Sequence, residues 1–214
     1  MSILRRGVTI TIVLLCLALI VIAALIVYRR SPGRGLPYHD SFAYDRAGEW
    51  RAFGGTWSVS NGAMRNDSDE RGAKSITGST RWRDYMIEAD VMILGAGGDA
   101  GLIARSSDEE EGVDAYTGYY AGIRNLDHTL VLGRAGHGWA EVTRQVAFDG
   151  HTVQTDRWYH LKLIAVGCQL TAIAESPSRE NRTVLTVNDS DCVASGRAGL
   201  RSYGSGGEWR NVVI

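Results

Sequence analysis

The chain is short of lysine. Of 23 basic residues only Lys74 and Lys162 are lysines, and the remaining 21 are arginines. The arginines are scattered, form no basic stripe and leave a formal charge of −1. That removes the electrostatic footprint of a nucleic-acid binder. Histidine is sparse as well. His39, His128, His137, His151 and His160 show no metal-ligand spacing to one another, to cysteine or to carboxylates. No serine-centred elbow and no phosphate loop occurs, and Gly136-His-Gly138 reads as a tight turn. After residue 37 no segment sustains helical periodicity, which excludes an all-α or α/β domain.

Charge is missing in one long stretch. Val8 to Tyr28 is 21 residues without Asp, Glu, Lys or Arg. As a helix rising ~1.5 Å per residue it spans about 31 Å, close to the ~30 Å hydrocarbon core. Arg5 and Arg6 flank one end, Arg29 and Arg30 the other, and Tyr28 sits at an interfacial position. The run is too long for a signal-peptide core, and no small-x-small cleavage site closes it. Cys16 follows Val13-Leu14-Leu15, so it lacks the small residue that lipidation needs. The expected layout is a cytoplasmic tail (1–7), a transmembrane helix in membrane lipid (8–28), a linker (29–37) with breakers in Ser31-Pro-Gly-Arg-Gly-Leu-Pro37, and a domain from 38 to 214.

Orientation is nearly tied by the positive-inside rule, since Arg5 and Arg6 oppose Arg29, Arg30 and Arg34. Cysteine usage leans one way. Cys168 and Cys192 fit a single disulfide in an oxidising compartment, with two separate buried thiols as the alternative. The expectation is an N-terminus in the cytoplasm and a periplasmic or other extracytoplasmic domain. Asn66, Asn181 and Asn188 head Asn-x-Ser/Thr triplets, which matter only in a eukaryotic secretory pathway.

The domain reads as strands. Trp57-Ser-Val59-Ser60 runs into Asn61-Gly62, a hairpin turn, and returns through Ala63-Met64-Arg65. Tyr85, Ile87, Ala89, Val91 and Ile93 alternate with Met86, Glu88, Asp90 and Met92, as in a half-buried strand. Further strands are expected over 99–105, 115–123, 129–132, 158–165, 169–173, 199–203 and 209–214. About a dozen short strands at hairpin spacing predict an all-β sandwich or barrel. Gly-Glu-Trp-Arg occurs at 48–51 and again at 207–210, but no longer period supports a repeat architecture.

The order of motifs carries a resemblance. It runs from Asp40-Ser-Phe42, Trp50, Gly55-Thr-Trp57 and Asn61-Gly62-Ala63-Met64 to Asp84-Tyr85 with Glu88-Ala-Asp90-Val91. Ala100-Gly101-Leu-Ile-Ala-Arg105, Tyr119-Tyr120-Ala-Gly122, Trp158-Tyr159-His-Leu161, Gly196-Arg-Ala-Gly199-Leu200 and Trp209-Arg-Asn211-Val212 follow. Over 38–214 this resembles the concanavalin A-like lectin/glucanase superfamily, in its laminin-G-like and 3-keto-disaccharide hydrolase branch. The resemblance implies a jelly roll of two antiparallel sheets, one of them concave, which holds carbohydrate in sugar-binding members.

Catalytic chemistry has little support. Glycosidases of the superfamily carry Glu-x-Asp-x-x-Glu on one strand, and here Ile93 replaces the third carboxylate after Glu88 and Asp90. Ser107-Asp-Glu-Glu-Glu111-Gly-Val-Asp114 reads as a solvated loop, with a calcium loop or a contact for a basic partner as the sharper alternatives. By family analogy Asp40 is a rim candidate for a structural Ca2+; no other cofactor is expected. Sugar sites use an aromatic platform ringed by polar groups. Trp139, after its glycine-rich turn, is the expected platform, with Tyr116, Arg124, His137 and Glu141 around it; edge packing is the alternative. Trp57, Trp158 and Trp209 are expected in the core.

Three functions stay open. One is a membrane-anchored module that binds a glycan or envelope component. The second is an accessory subunit of a membrane complex, for which Thr9, Thr11, Cys16, Ala18, Ala23 and Ala24 suit helix–helix packing. The third is a glycoside-hydrolase-like enzyme.

Overall fold

The computed structural model describes residues 35–43, 49–150 and 152–214. The tail, the apolar run 8–28 and most of the linker lie outside these. Among the described residues no helix is long and apolar enough to cross a membrane.

Among the described residues fifteen strands follow one another: β1 His39–Asp40, β2 Arg51–Phe53, β3 Trp57–Ser60, β4 Ala63–Asn66, β5 Ala73–Thr77, β6 Tyr85–Ile93, β7 Asp99–Ser107 and β8 Thr117–Arg124. After these come β9 Thr129–Gly136, β10 Trp139–Val146, β11 Tyr159–Val166, β12 Gln169–Glu175, β13 Arg182–Asn188, β14 Arg197–Tyr203 and β15 Gly207–Val213. One sheet runs β13-β12-β11-β6-β15-β4-β3, with β1 also paired to β15. The other runs β10-β9-β8-β7-β14-β5-β2. Chain neighbours such as β6 and β7 fall in different sheets, so the topology is a two-sheet antiparallel jelly roll and not a meander.

Alternation explains the sandwich. Ile87, Ala89, Val91 and Ile93 of β6 face Ala100, Leu102 and Ala104 of β7 and Ala121 and Ile123 of β8 across one continuous core. Trp209 is fully buried there, stacked on Trp57 at 5.4 Å between ring centroids. Its indole donates to the Gly101 carbonyl at 3.1 Å, which settles the one polar atom that burial strands. Trp158 departs from the core expectation: it is half-buried at the surface, with the Arg210 guanidinium 4.1 Å from its ring centroid.

The Asn61-Gly62 hairpin pairs Ser60 with Ala63, and both turn residues have positive φ as a type I′ turn demands. β11 and β12 close around Gly167, pairing Val166 with Gln169. Strands β1, β2, β5, β10 and β13 lie outside the expected strand ranges. Cys168 and Cys192 are joined as a disulfide across 24 positions. Arg105, buried beneath it, donates to the carbonyls of Arg83, Gly167 and Val193 and pairs with Asp84 at 3.1 Å. One guanidinium thus satisfies the carbonyls flanking both half-cystines, which is why so polar a group is tolerated there.

Candidate functional site

The outer face of the seven-stranded sheet is not a plain solvated face. Phe53, Ile76, Ile103, Tyr116, Tyr120, Val131 and Ala135 form a second apolar cluster on it. The register explains the shape. Arg201 lies opposite Gly101, Gly101 opposite Gly122 and Gly122 opposite Val131, so two adjacent strands offer no side chain in that row. The Tyr120 phenol fills the space a β-carbon would take on Gly122, and the Trp139 indole fills that over Gly133. The glycines therefore let two aromatic rings lie against the sheet.

What results is a basin of about 450 Å3 lined by Asp99, Asp114, Tyr120, Arg124, Trp139 and Arg201, with Tyr203 and Glu141 at its wall. Arg201 lies at its floor, 3% exposed. Its guanidinium carbon is 4.4 Å from the Tyr120 ring centroid, 5.1 Å from Tyr203 and 5.8 Å from Trp139. Nη1 donates to Asp99 at 3.3 Å and Nη2 to Asp114 at 2.6 Å. Burial pulls the Arg201 pKa down, but the negative charge of Asp99 and its neighbours outweighs burial and raises it. Burial pushes the Asp99 carboxyl up against the pull of Arg201. The Tyr120 hydroxyl donates to Asp99 at 2.6 Å.

Three of the five residues expected in a recognition patch meet here. Trp139 opens β10, is 37% exposed and packs edge-on to Tyr120 at 5.9 Å. Arg124 and Glu141 pair at 2.8 Å on the rim. The other two do not join them. Tyr116 is fully buried, because the loop before it folds its ring onto the sheet beside Lys74. His137 sits exposed at the β9–β10 turn with φ of 53° and does not line the basin. Arg201, Asp99, Tyr120 and Tyr203 were missed. The available signal was Gly199-Leu-Arg201-Ser-Tyr203, where a cation alternates with a core leucine.

The acidic loop is only half solvated. Asp108, Glu110 and Glu111 are exposed, but Asp114 is buried on Arg201, and Glu109 accepts from Arg197 at 2.8 Å. Lys74, fully buried, donates to the Gly112 carbonyl at 3.3 Å. Burial and the nearby Arg201 charge lower the Lys74 pKa to about 8. Three cations from β5 and β14 thus clamp the loop over the sheet and bound the basin on that side.

The calcium proposal for Asp40 does not fit its surroundings. The carboxylate accepts from Tyr38 Oη and Trp50 Nε1, each at 2.9 Å, and from the Phe42 amide at 2.8 Å. A shell of hydrogen-bond donors is the wrong polarity for a cation, which needs oxygens. Among the described residues no group of three His, Cys, Asp or Glu is placed to hold a metal. Asn66, heading one Asn-x-Ser triplet, is fully buried and donates to Ser202.

On the opposite sheet Glu88 and Asp90 share a face, as alternation predicts, and His160 and Lys162 lie across from them on β11. A groove of about 570 Å3 opens there. Lys162 binds Glu88 at 2.6 Å. Asp90 receives His160 at 3.1 Å, Asn211 at 2.8 Å and Arg210 at 3.4 Å, and a bulge in β15 supplies the last two. Hydrogen bonding from His160, then from Asn211, holds the Asp90 pKa down to about 2 against burial. Asp90 is thus held as the carboxylate, the form opposite to that of a general acid.

Known structures repeat this fold. A carbohydrate-binding module, CBM66, from Bacillus subtilis superposes with a TM-score of 0.64 at 20% identity, over 77% of this chain and 93% of that one. Lectin II from Ulex europaeus gives 0.61 at 8% identity, over 83% and 97%. A putative glycosyl hydrolase from Parabacteroides distasonis gives 0.54 at 12%, over 80% and 90%. No curated protein matches the sequence. The family model for the 3-keto-alpha-glucoside-1,2-lyase-like domain matches residues 43–214. The chain therefore belongs to the 3-keto-alpha-glucoside-1,2-lyase-like domain family, on a concanavalin A-like jelly roll.

Proposed function

We propose that this protein is a membrane-anchored, non-catalytic glycan-binding module whose ligand site is the basin on the seven-stranded sheet. The observation that carries it is the set of three aromatic rings, Tyr120, Trp139 and Tyr203, gathered around Arg201 in an open basin. An apolar platform ringed by fixed donors and acceptors suits a sugar, which presents C–H faces and hydroxyl edges. The fold shared with a carbohydrate-binding module and a lectin supports the reading. The anchor is the uncharged run 8–28, and the disulfide supports a domain in an oxidising space. Full-length protein in detergent, probed on a glycan array beside Trp139→Ala, tests it. Binding by the wild type that the variant loses supports the site; equal binding by both removes it.

A second reading is enzymatic, favoured by the family description, which names a lyase. Incubating the protein with 3-keto disaccharides and following loss of substrate tests it. Turnover that Arg201→Gln abolishes would make the basin an active site.

A further inference from the structure

The charges of the basin narrow its ligand, on the footing of the glycan reading above. Three carboxylates line it, Asp99, Asp114 and Glu141, against two guanidiniums, Arg124 and Arg201, which leaves one negative charge in excess. Both guanidiniums are already engaged. Arg201 spends Nη1 on Asp99 and Nη2 on Asp114, and its Nε is buried without a hydrogen-bond partner among the described residues. Arg124 spends Nη1 on Asp127 at 3.4 Å and Nη2 on Glu141 at 2.8 Å. Each guanidinium thus has both Nη atoms on carboxylates, which offset its charge toward a further anion.

The acceptors are freer. Oδ2 of Asp99 and Oδ2 of Asp114 accept no hydrogen bond from the described residues, although both side chains line the basin. A ligand that donates hydrogen bonds finds partners there. One that brings a negative charge meets like charge in a site where burial weakens solvent screening. Aromatic faces and arginine-bound carboxylates would equally suit an ammonium.

We propose that the basin selects its sugar by charge, taking neutral and amino sugars and excluding sugars that carry a carboxylate or sulfate. Glu141 sets part of this selection from the rim, because it holds Arg124 closed. Replacing it by glutamine removes the ion pair at Arg124 Nη2, leaves Nη1 beside Asp127 and makes the mouth less negative.

The test uses full-length protein in detergent on an array of neutral, amino and acidic oligosaccharides. It is followed by titration with methyl glycosides of glucose, glucosamine and glucuronic acid and the matching galactose and mannose sets. Within each series the ring is constant and the charge changes. The expected result is binding of neutral and amino members, with acidic members at least about tenfold weaker at low salt. That gap shrinks as salt rises, and Glu141→Gln lowers the ratio of neutral to acidic affinity. Acidic sugars bound as tightly as neutral ones overturn the charge selection and leave the glycan site standing. No binding to any glycan overturns both.

Discussion

Arg201 Nη2 lies 2.6 Å from Asp114 Oδ1, and both side chains are buried, 4% and 6% exposed. This pair joins the acidic loop to the middle of the seven-stranded sheet. It also fixes the guanidinium under Trp139, so one contact sets both the lid of the second apolar cluster and the floor of the basin. Arg201→Met therefore strands Asp99 and Asp114 as buried carboxylates without their cation. Breaking one side of such a pair costs about 3–5 kcal/mol. Chemical denaturation should show a loss of that order, and the double variant Arg201→Met with Asp114→Leu should recover part of it.

Trp139 is expected to separate binding from stability. It is partly exposed on an edge strand, so Trp139→Ala should unfold close to the wild type. Its glycan affinity should fall at least tenfold, about 1.4 kcal/mol. Thermal unfolding and a binding isotherm on the same sample check the two halves.

The disulfide should matter for stability and not for the basin. Cys168 and Cys192 close a loop of 24 positions that contains β12 and β13 of the other sheet, and neither cysteine lines the basin. Replacing both by alanine should cost about 2–4 kcal/mol. Buried Arg105 should keep the two segments together, so the folded variant should bind its glycan unchanged.

Acidity and alkalinity should act through two named groups. Asp90 titrates at about 2 in the folded chain, below its ordinary value. Its stabilisation is present above the unfolded value of 3.8 and is lost as pH falls toward 2. His160→Gln should move acid unfolding to higher pH. Lys74 is displaced the other way in effect: its folded pKa, about 8, lies below the unfolded 10.5. The unfolded chain holds the extra proton, so stability should rise with pH between about 8 and 10.5. Lys74→Met should flatten that rise in a denaturation series across pH.

The sandwich was legible because its signals are local. Period-two alternation in β6 and the Asn61-Gly62 turn each determine their own geometry. β10 was not legible, since Trp139-Ala-Glu-Val-Thr-Arg-Gln-Val146 is exposed on both faces and shows no clean alternation. Trp139, Arg124 and Glu141 could be grouped from chain proximity. Arg201 could not: it reaches the site by pairing β14 with β7, a contact 100 positions apart that no local pattern encodes. Tyr116 misled because an aromatic beside an acidic run looks exposed, whereas Lys74, Arg197 and Arg201 pull that run inward. The proposed anchor, the uncharged run 8–28, lies outside the described residues. Carbonate extraction of native membranes should leave the protein in the pellet.

In the proposed complex the sugar sits against Trp139. The indole N–H signals of the six tryptophans report it directly in a proton–nitrogen correlation spectrum of the full-length protein in detergent, titrated with its strongest array ligand. The Trp139 signal should shift with saturation while those of buried Trp82 and Trp209 stay in place. A saturable shift at another tryptophan with Trp139 unmoved would contradict it.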